Sequence, residues 1–86
     1  MTKDQQGLCN EIWRRRKAQD AEHGGPTHDD THHPIEWHSF IVKFAGRALE
    51  AWHESSNPEL YEDHLLDVAA LAIAAIQSSR RKRERT

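Results

Sequence analysis

The nine residues "VAALAIAAI", Val68 to Ile76, decide the fold, because they are apolar on every side of a helix. A helix that packs against one partner needs only an apolar stripe, whereas a helix that is apolar all round must be surrounded. We therefore predict a central helix over about residues 58–80, with Asn57 as its N-cap and Pro58 in its first position.

Two shorter helices could cover only about half of this central helix. The apolar surface of this helix that stays uncovered would be exposed to water in a monomer, which is unfavourable. The sequence therefore predicts a homo-oligomer that assembles through this third helix. The alternative is a tight monomeric bundle with the same helix at its centre.

The first of the two flanking helices is predicted over about residues 4–22. Thr2 and Gln5 have the spacing of a capping box, and apolar residues recur at helical intervals for about two turns. The segment Gly24-Gly25-Pro26 then ends the helix.

The second flanking helix is predicted over about residues 34–54. Pro34 suits the first helical position, and apolar side chains from Trp37 to Trp52 follow i, i+3, i+4, i+7 spacing. No strand pattern is present. The predicted class is all-α, a three-helix antiparallel bundle with a long loop at 23–33 and a basic tail at 81–86.

Length and composition indicate one domain of modest stability. The 86 residues are 36% hydrophobic, with a mean hydropathy of -0.92, near the lower limit for a single core. The lone Cys9 excludes an internal disulfide and a cysteine-based zinc cluster. Without an apolar run of about 20 residues or a signal-peptide core, we expect a cytoplasmic protein with no membrane partner. If phage-encoded, it would lie in the host cytoplasm.

The net charge of -2 hides two basic blocks, at residues 14–17 and 80–85. Such blocks can bind nucleic acid, which makes a DNA- or RNA-binding accessory protein one alternative function. The second block could equally be a solvated helix end whose cations suit the negative pole of the helix dipole.

The loop "HGGPTHDDTHH", His23 to His33, concentrates four of the seven histidines beside two aspartates. Imidazole and carboxylate ligands in one short arc suit zinc, nickel or manganese. The predicted ligands of this divalent metal are His28, Asp29, Asp30 and His32. The alternative is that Asp29 or Asp30 caps the second helix.

An enzyme is less well supported by the residues. Cys9 lies on an apolar face, and no serine has a nucleophile setting. In the third helix, Glu59 with Glu62 or Asp63 with Asp67 would share one helix face. This leaves a metal-dependent nucleotide pyrophosphatase as an alternative, using loop and third-helix carboxylates. The paired ExxE and ExxD motifs of the MazG-type enzymes are not reproduced.

A longer pattern resembles a family of small, mostly uncharacterised proteins of tailed phages and prophages. It consists of Arg16 and Gln19, the glycine turn, "HDDTH" from His28 to His32, Trp37, and "AALAIAAI" from Ala69 to Ile76. The sequence departs from the family in having Arg15 where a glutamate is expected.

Small oligomeric helical phage proteins are similar in setting to anti-defence sponges, which sequester nucleotide second messengers. By this analogy we predict a non-enzymatic binder of a small anionic ligand, namely an immune-signalling nucleotide. Arginine and glutamine can bind phosphate and a base edge, tryptophan can stack on a base, and glycine allows close approach. The predicted ligand-binding residues are Trp13, Arg14, Arg16, Gln19, Gly24, Gly25 and Trp37.

Arg16 and Gln19 are the central pair of this prediction. Arg16 continues the apolar face of the first helix, so its guanidinium should point inward and needs an anionic partner. A phosphate could be that partner, or the chain itself could supply Asp29, Asp30 or Asp67.

Overall fold

The computed structural model describes residues 1–85, apart from the side chain of His23. Within these residues it contains four α-helices and no strand, which confirms the all-α prediction. The helices are α1 (Lys3–His23), α2 (Gly25–Asp29), α3 (Pro34–Ser55) and α4 (Pro58–Glu84).

The helix starts follow from capping residues. Thr2 and Gln5 form the predicted capping box, with backbone-to-side-chain hydrogen bonds of 2.8 and 3.1 Å. Asn57 caps α4 as predicted, because its Oδ1 accepts a hydrogen bond from the Leu60 amide at 3.1 Å. The cap of α3 is His33, whose Nδ1 accepts from the amide of Ile35. The alternative that Asp29 or Asp30 caps this helix was therefore wrong.

The segment predicted as a loop at 23–33 contains the short helix α2. Gly24 has φ 98° and ends α1, and Pro26 stands in the first turn of the new helix, where its missing N–H leaves nothing unsatisfied. The glycines and the proline were interpreted as breakers only, so the sequence missed a turn of helix that they also start.

The predicted basic tail at 81–86 is largely helical, because α4 continues to Glu84. Arg81 and Arg85 both pair with Asp30, and these contacts hold the last turns of α4 against the segment after α2. Thr86, the last residue of the predicted tail, lies outside the described residues.

The helix α4 is central to the packing: it contacts α1, α2 and α3, whereas α1 and α3 do not meet in the described part of the chain. The buried apolar core is small and consists of Trp37, Ala48, Ala51, Ala70 and Ala74. Because α1 and α3 stand apart on either side of α4, a cleft opens between them. No helix of the described chain is long and apolar enough to cross a membrane.

Candidate functional site

Arg16 of α1 is buried beside the cleft, with only 5% of its surface exposed. Its Nη1 lies 2.6 Å from Oδ1 of Asp20, one turn along α1, and its Nη2 pairs with Oδ2 of the buried Asp29 at the end of α2. The chain therefore supplies Asp29 as an internal partner, one of the three aspartates considered from the sequence. The Nε of Arg16 is buried without a hydrogen-bond partner in the described structure.

Asp30, the neighbour of Asp29, turns toward α4 instead. Its carboxylate accepts hydrogen bonds from Arg81 at 2.8 Å, Arg85 at 2.7 Å and the Ser78 hydroxyl at 3.0 Å. Hydrogen bonding to Arg81 holds the pKa of the Asp30 carboxyl well below its ordinary value, and the same bond raises the pKa of Arg81. The two aspartates thus fasten α2 and the turn after it to α1 and α4.

Gln19 is buried one turn after Arg16 and reaches α4. Its Nε2 donates two long hydrogen bonds of 3.5 Å to the carbonyl and the Oδ1 of Asp67. Its Oε1 is buried with no partner in the described chain. Buried amides usually satisfy both ends, so this oxygen is an open acceptor beside the cleft.

The cleft between α1 and α3 has a volume of about 230 Å³ and is floored by α4. Polar groups come from α1, from α2 and the segment after it, and from Lys43 of α3, whereas α4 contributes only Leu71 and Ala74. Phe40 and Phe44 form an aromatic wall. Its lining residues are Arg16, Gln19, His28, Asp29, His32, Trp37, Phe40, Lys43, Phe44, Leu71 and Ala74.

The two histidines of the cleft belong to a packed aromatic group. The His32 ring lies edge-on to His28 at 4.9 Å, to Trp37 at 5.1 Å and to Phe40 at 5.3 Å between ring centroids. The His32 Nδ1 is 2.5 Å from Oε2 of Glu36, and this contact lowers the pKa of Glu36. Trp37 is buried, and its indole N–H has no partner among the described residues.

The structure does not gather the four predicted metal ligands into one cluster. Asp29 pairs with Arg16, Asp30 pairs with Arg81, and His32 contacts Glu36. Since each carboxylate already has a cationic partner on a different helix, metal binding at this loop stays a prediction without support from the geometry.

A different trio on α4 does bring metal-ligand atoms together. One atom each from Asp63, His64 and Asp67 lies within 4.8 Å of the others, with Asp63 exposed and the other two half-buried. The guanidinium of Arg15 pairs with Asp63 and lies 3.0 Å from Asp67, and the hydrogen bond to Asp63 raises the pKa of Arg15. The sequence placed the two aspartates on one face but missed His64.

The predicted ligand-binding residues fall into two groups. Arg16, Gln19 and Trp37 line the cleft together. Trp13 and Arg14 are exposed on α1 outside the cleft lining, while Gly24 and Gly25 form the turn into α2 with positive φ angles. A side chain at Gly24 would also lie 3.2 Å from the Cβ of His28, so this glycine is required by the turn itself.

Lys43 is a cleft residue for which the sequence predicted no role in the site. Its side of α3 faces a cavity only because α1 stands apart from α3.

No protein-family model matches the chain, and neither a curated protein nor a solved structure matches it significantly.

Proposed function

We propose that the protein is a non-enzymatic, oligomeric binder that sequesters a small anionic ligand, an immune-signalling nucleotide, in the cleft between α1 and α3. The observation that carries this proposal is the convergence of Arg16, Gln19 and Trp37 on one cleft with Lys43 at its wall. Unpaired polar groups beside aromatic rings are what a nucleotide site requires.

The charge of the cleft lining favours an anion. Arg16 and Lys43 bring two positive charges and Asp29 brings one negative charge, before any histidine is protonated. Both terminal nitrogens of Arg16 are engaged by carboxylates, so bidentate phosphate binding there would have to displace Asp29. Lys43 is therefore the residue that we assign to the phosphate, and Arg16 holds the cleft in shape and offers its Nε–H.

The size of the cleft limits the part of the ligand that one chain can hold. Its volume of about 230 Å³ is below the roughly 300–1,000 Å³ of clefts for drug-sized ligands. One nucleoside phosphate unit has a volume of this order, so a cyclic dinucleotide or trinucleotide would project from the cleft. The planar base would lie against the aromatic wall, with Gln19 Oε1 accepting from an exocyclic amine.

Self-association through α4 is part of the same proposal. Within the segment Val68–Ile76 only Ala70 and Ala74 are buried, and Ile76 remains 51% exposed. An apolar helix that its own chain covers on two sides still has a free side for another copy.

The test of ligand binding is mass spectrometry of small molecules released by denaturing the purified protein. We expect an anionic nucleotide, recovered chemically unchanged and in near-stoichiometric amount from cells that make the signal. Recovery of a hydrolysed product only would favour an enzyme instead.

A second candidate function is metal-dependent hydrolysis of a nucleotide, favoured by the Asp63, His64 and Asp67 trio. The guanidinium of Arg15 occupies the position between the two carboxylates, so a divalent ion would have to compete with it. Turnover of a nucleotide that depends on added Mg²⁺ or Mn²⁺ and is lost in His64→Ala would support this candidate.

Nucleic-acid binding by the two basic blocks is the third candidate. Much of their charge is engaged within the chain, because Arg15 and Arg16 pair with aspartates, Arg81 and Arg85 pair with Asp30, and Lys82 donates to the carbonyl of His32. Duplex binding that weakens steeply with salt would support it.

A further inference from the structure

A second apolar stripe runs along α3 and is not part of the core. Its members are separated alternately by three and four residues, which is the spacing by which helices pack in coiled coils. Every member is exposed, and the four large apolar ones are between 52% and 69% exposed. The α3 stripe consists of Ile35, His38, Val42, Ala45, Leu49 and Trp52.

A matching stripe lies on α4. Leu65, Ala69, Ala72 and Ile76 are separated by four, three and four residues, so they share one side of the helix. Leu65 and Ile76 are exposed, and the two alanines between them are half-buried. We call these four residues the α4 stripe.

Both stripes lie on the side of the molecule opposite the cleft. At 3.6 residues per turn, the α3 stripe is about 180° around its helix from Phe40, Lys43 and Phe44, which line the cleft. The α4 stripe is about 160° from the cleft residues Leu71 and Ala74. Because α3 and α4 pack side by side, the two stripes lie on either side of the groove between these helices, which Ile41 and Ala75 line together with Ser79 and Lys82. We call the two stripes and this groove the back face.

Gly46 adds an independent observation. It lies in the middle of α3 beside Ala45, and a Cβ built on it would meet no atom within 4 Å. Glycine in a helix interior is destabilising relative to alanine, and nothing in its own chain requires it here. Gly46 lies at the edge of the α3 stripe, and its missing side chain leaves room there for a second helix to approach closely.

We propose that this back face binds a second copy of the chain, so that α3 and α4 of two copies form an antiparallel four-helix bundle. The α3 stripe is self-complementary about a two-fold axis between Val42 and Ala45. That axis sets Ile35 against the partner's Trp52 and His38 against the partner's Leu49, with a Val42–Ala45 contact at the centre.

The charges around the α3 stripe suit an identical partner. Across a two-fold axis, charged residues beside the α3 stripe would face the same residues of the partner copy and repel them. The positions that flank the stripe on its two sides carry no charged residue: they are Ser39, Gly46 and His53 on one side and Pro34, Ile41, Ala48 and Ser55 on the other.

The size of the face also requires both stripes. The α3 stripe is about 26 Å long, the α4 stripe is about 17 Å long, and each helix is about 10 Å wide, which gives roughly 400 Å² in projection. This is of the order of the ~800 Å² of accessible surface that each partner buries in a stable dimer. Either stripe alone offers half as much. The inference thus goes beyond assembly through α4, and it does not depend on ligand binding, because the cleft stays open.

Sedimentation equilibrium of the intact chain and three variants tests this dimer. Leu49→Glu places a charge at the seam and should raise the dimer Kd by about a hundredfold while the helical circular dichroism persists, since Leu49 is exposed in one copy. Gly46→Ala should weaken the dimer by about tenfold through the added methyl group. Gly7→Ala is the matched control on α1, where a Cβ also meets nothing, and it should leave the dimer unchanged.

A monomeric wild-type chain at micromolar concentration would overturn the proposal, as would a dimer that tolerates Leu49→Glu and Gly46→Ala as well as it tolerates Gly7→Ala. The relative direction of the two α3 helices in the dimer can be measured with spin labels attached to the Glu54→Cys variant, made in a Cys9→Ser background. Antiparallel pairing predicts about 30 Å between the two labelled positions. A distance below about 20 Å would contradict it.

Discussion

Asp29 and Asp30 are neighbours in the chain, yet their carboxylates pair with arginines of different helices, Asp29 with Arg16 of α1 and Asp30 with Arg81 of α4. Together with the direct packing of α1 on α4, this pair of contacts holds α2 and the end of α1 against α4. The two aspartates therefore support the cleft, whether or not they also contact a ligand.

Asp30→Asn should lower the thermal midpoint by several degrees and flatten the acid dependence of stability. The folded pKa of Asp30 lies below its unfolded value, so the stabilisation is present above the unfolded pKa of about 3.9 and is lost as the pH falls toward the folded pKa. Thermal unfolding between pH 2 and 7 checks this, with exposed Glu50→Gln as the control. Coincident acid profiles for wild type and Asp30→Asn would contradict it.

Arg16→Ala should destabilise the protein by about 3 kcal/mol, because it leaves the Asp29 carboxylate buried without its cation. Urea unfolding measures the loss, and Arg14→Ala, the same change at an exposed neighbour, should cost little. The double variant Arg16→Leu/Asp29→Leu should recover part of the stability. Equal stability of Arg16→Ala and wild type would mean that the pair does not hold the fold.

The long helices could be predicted from the sequence because their signals are local. Pro34, Asn57 and Pro58 mark starts that the structure reproduces, and apolar spacing identifies the face of each helix that packs. The short α2 was missed because Gly24, Gly25 and Pro26 were interpreted only as breakers of the preceding helix. The last turn of α4 was missed because Arg81 and Arg85 pair there with the distant Asp30, which no window of sequence contains.

The candidate site was predictable in part for the same reason. Helical spacing indicated that Arg16 points inward, and in the structure Arg16, Gln19 and Trp37 line one cleft. Lys43 could not be assigned to the site, because its position in the cleft depends on how far α1 stands from α3. The metal prediction weighed residue types in the loop without knowing that arginines from two helices would reach the same carboxylates.

Ile76→Asp should yield a folded chain that no longer self-associates, because Ile76 is 51% exposed in one copy but would be buried between copies. Ile73→Asp, at a half-buried position, should also lower the helical content. Light scattering and circular dichroism together distinguish the two effects. A wild-type chain that is a stable monomer at micromolar concentration would refute assembly through α4.

Zinc should raise the thermal midpoint more in Arg15→Ala than in wild type. The guanidinium of Arg15 and a dication compete for the carboxylates of Asp63 and Asp67, and removing the arginine frees them to bind metal with His64. Differential scanning fluorimetry with and without zinc checks the effect. The additional substitution His64→Ala should abolish it, and an equal zinc response in all three proteins would show that this trio holds no ion.

The central claim, that the cleft binds an anionic nucleotide, is tested most directly by calorimetric titration of Lys43→Ala against its matched control Lys17→Ala. Both lysines are exposed on helices and differ in that only Lys43 lines the cleft. With cyclic dinucleotides, cyclic trinucleotides and ADP-ribose derivatives as ligands, we predict that wild type and Lys17→Ala bind at least one equally well. Lys43→Ala should bind that ligand about tenfold or more weakly, through the loss of one charge-assisted contact. Equal affinity of Lys43→Ala and Lys17→Ala, or no binding of any of these nucleotides by the wild-type protein, would contradict the claim.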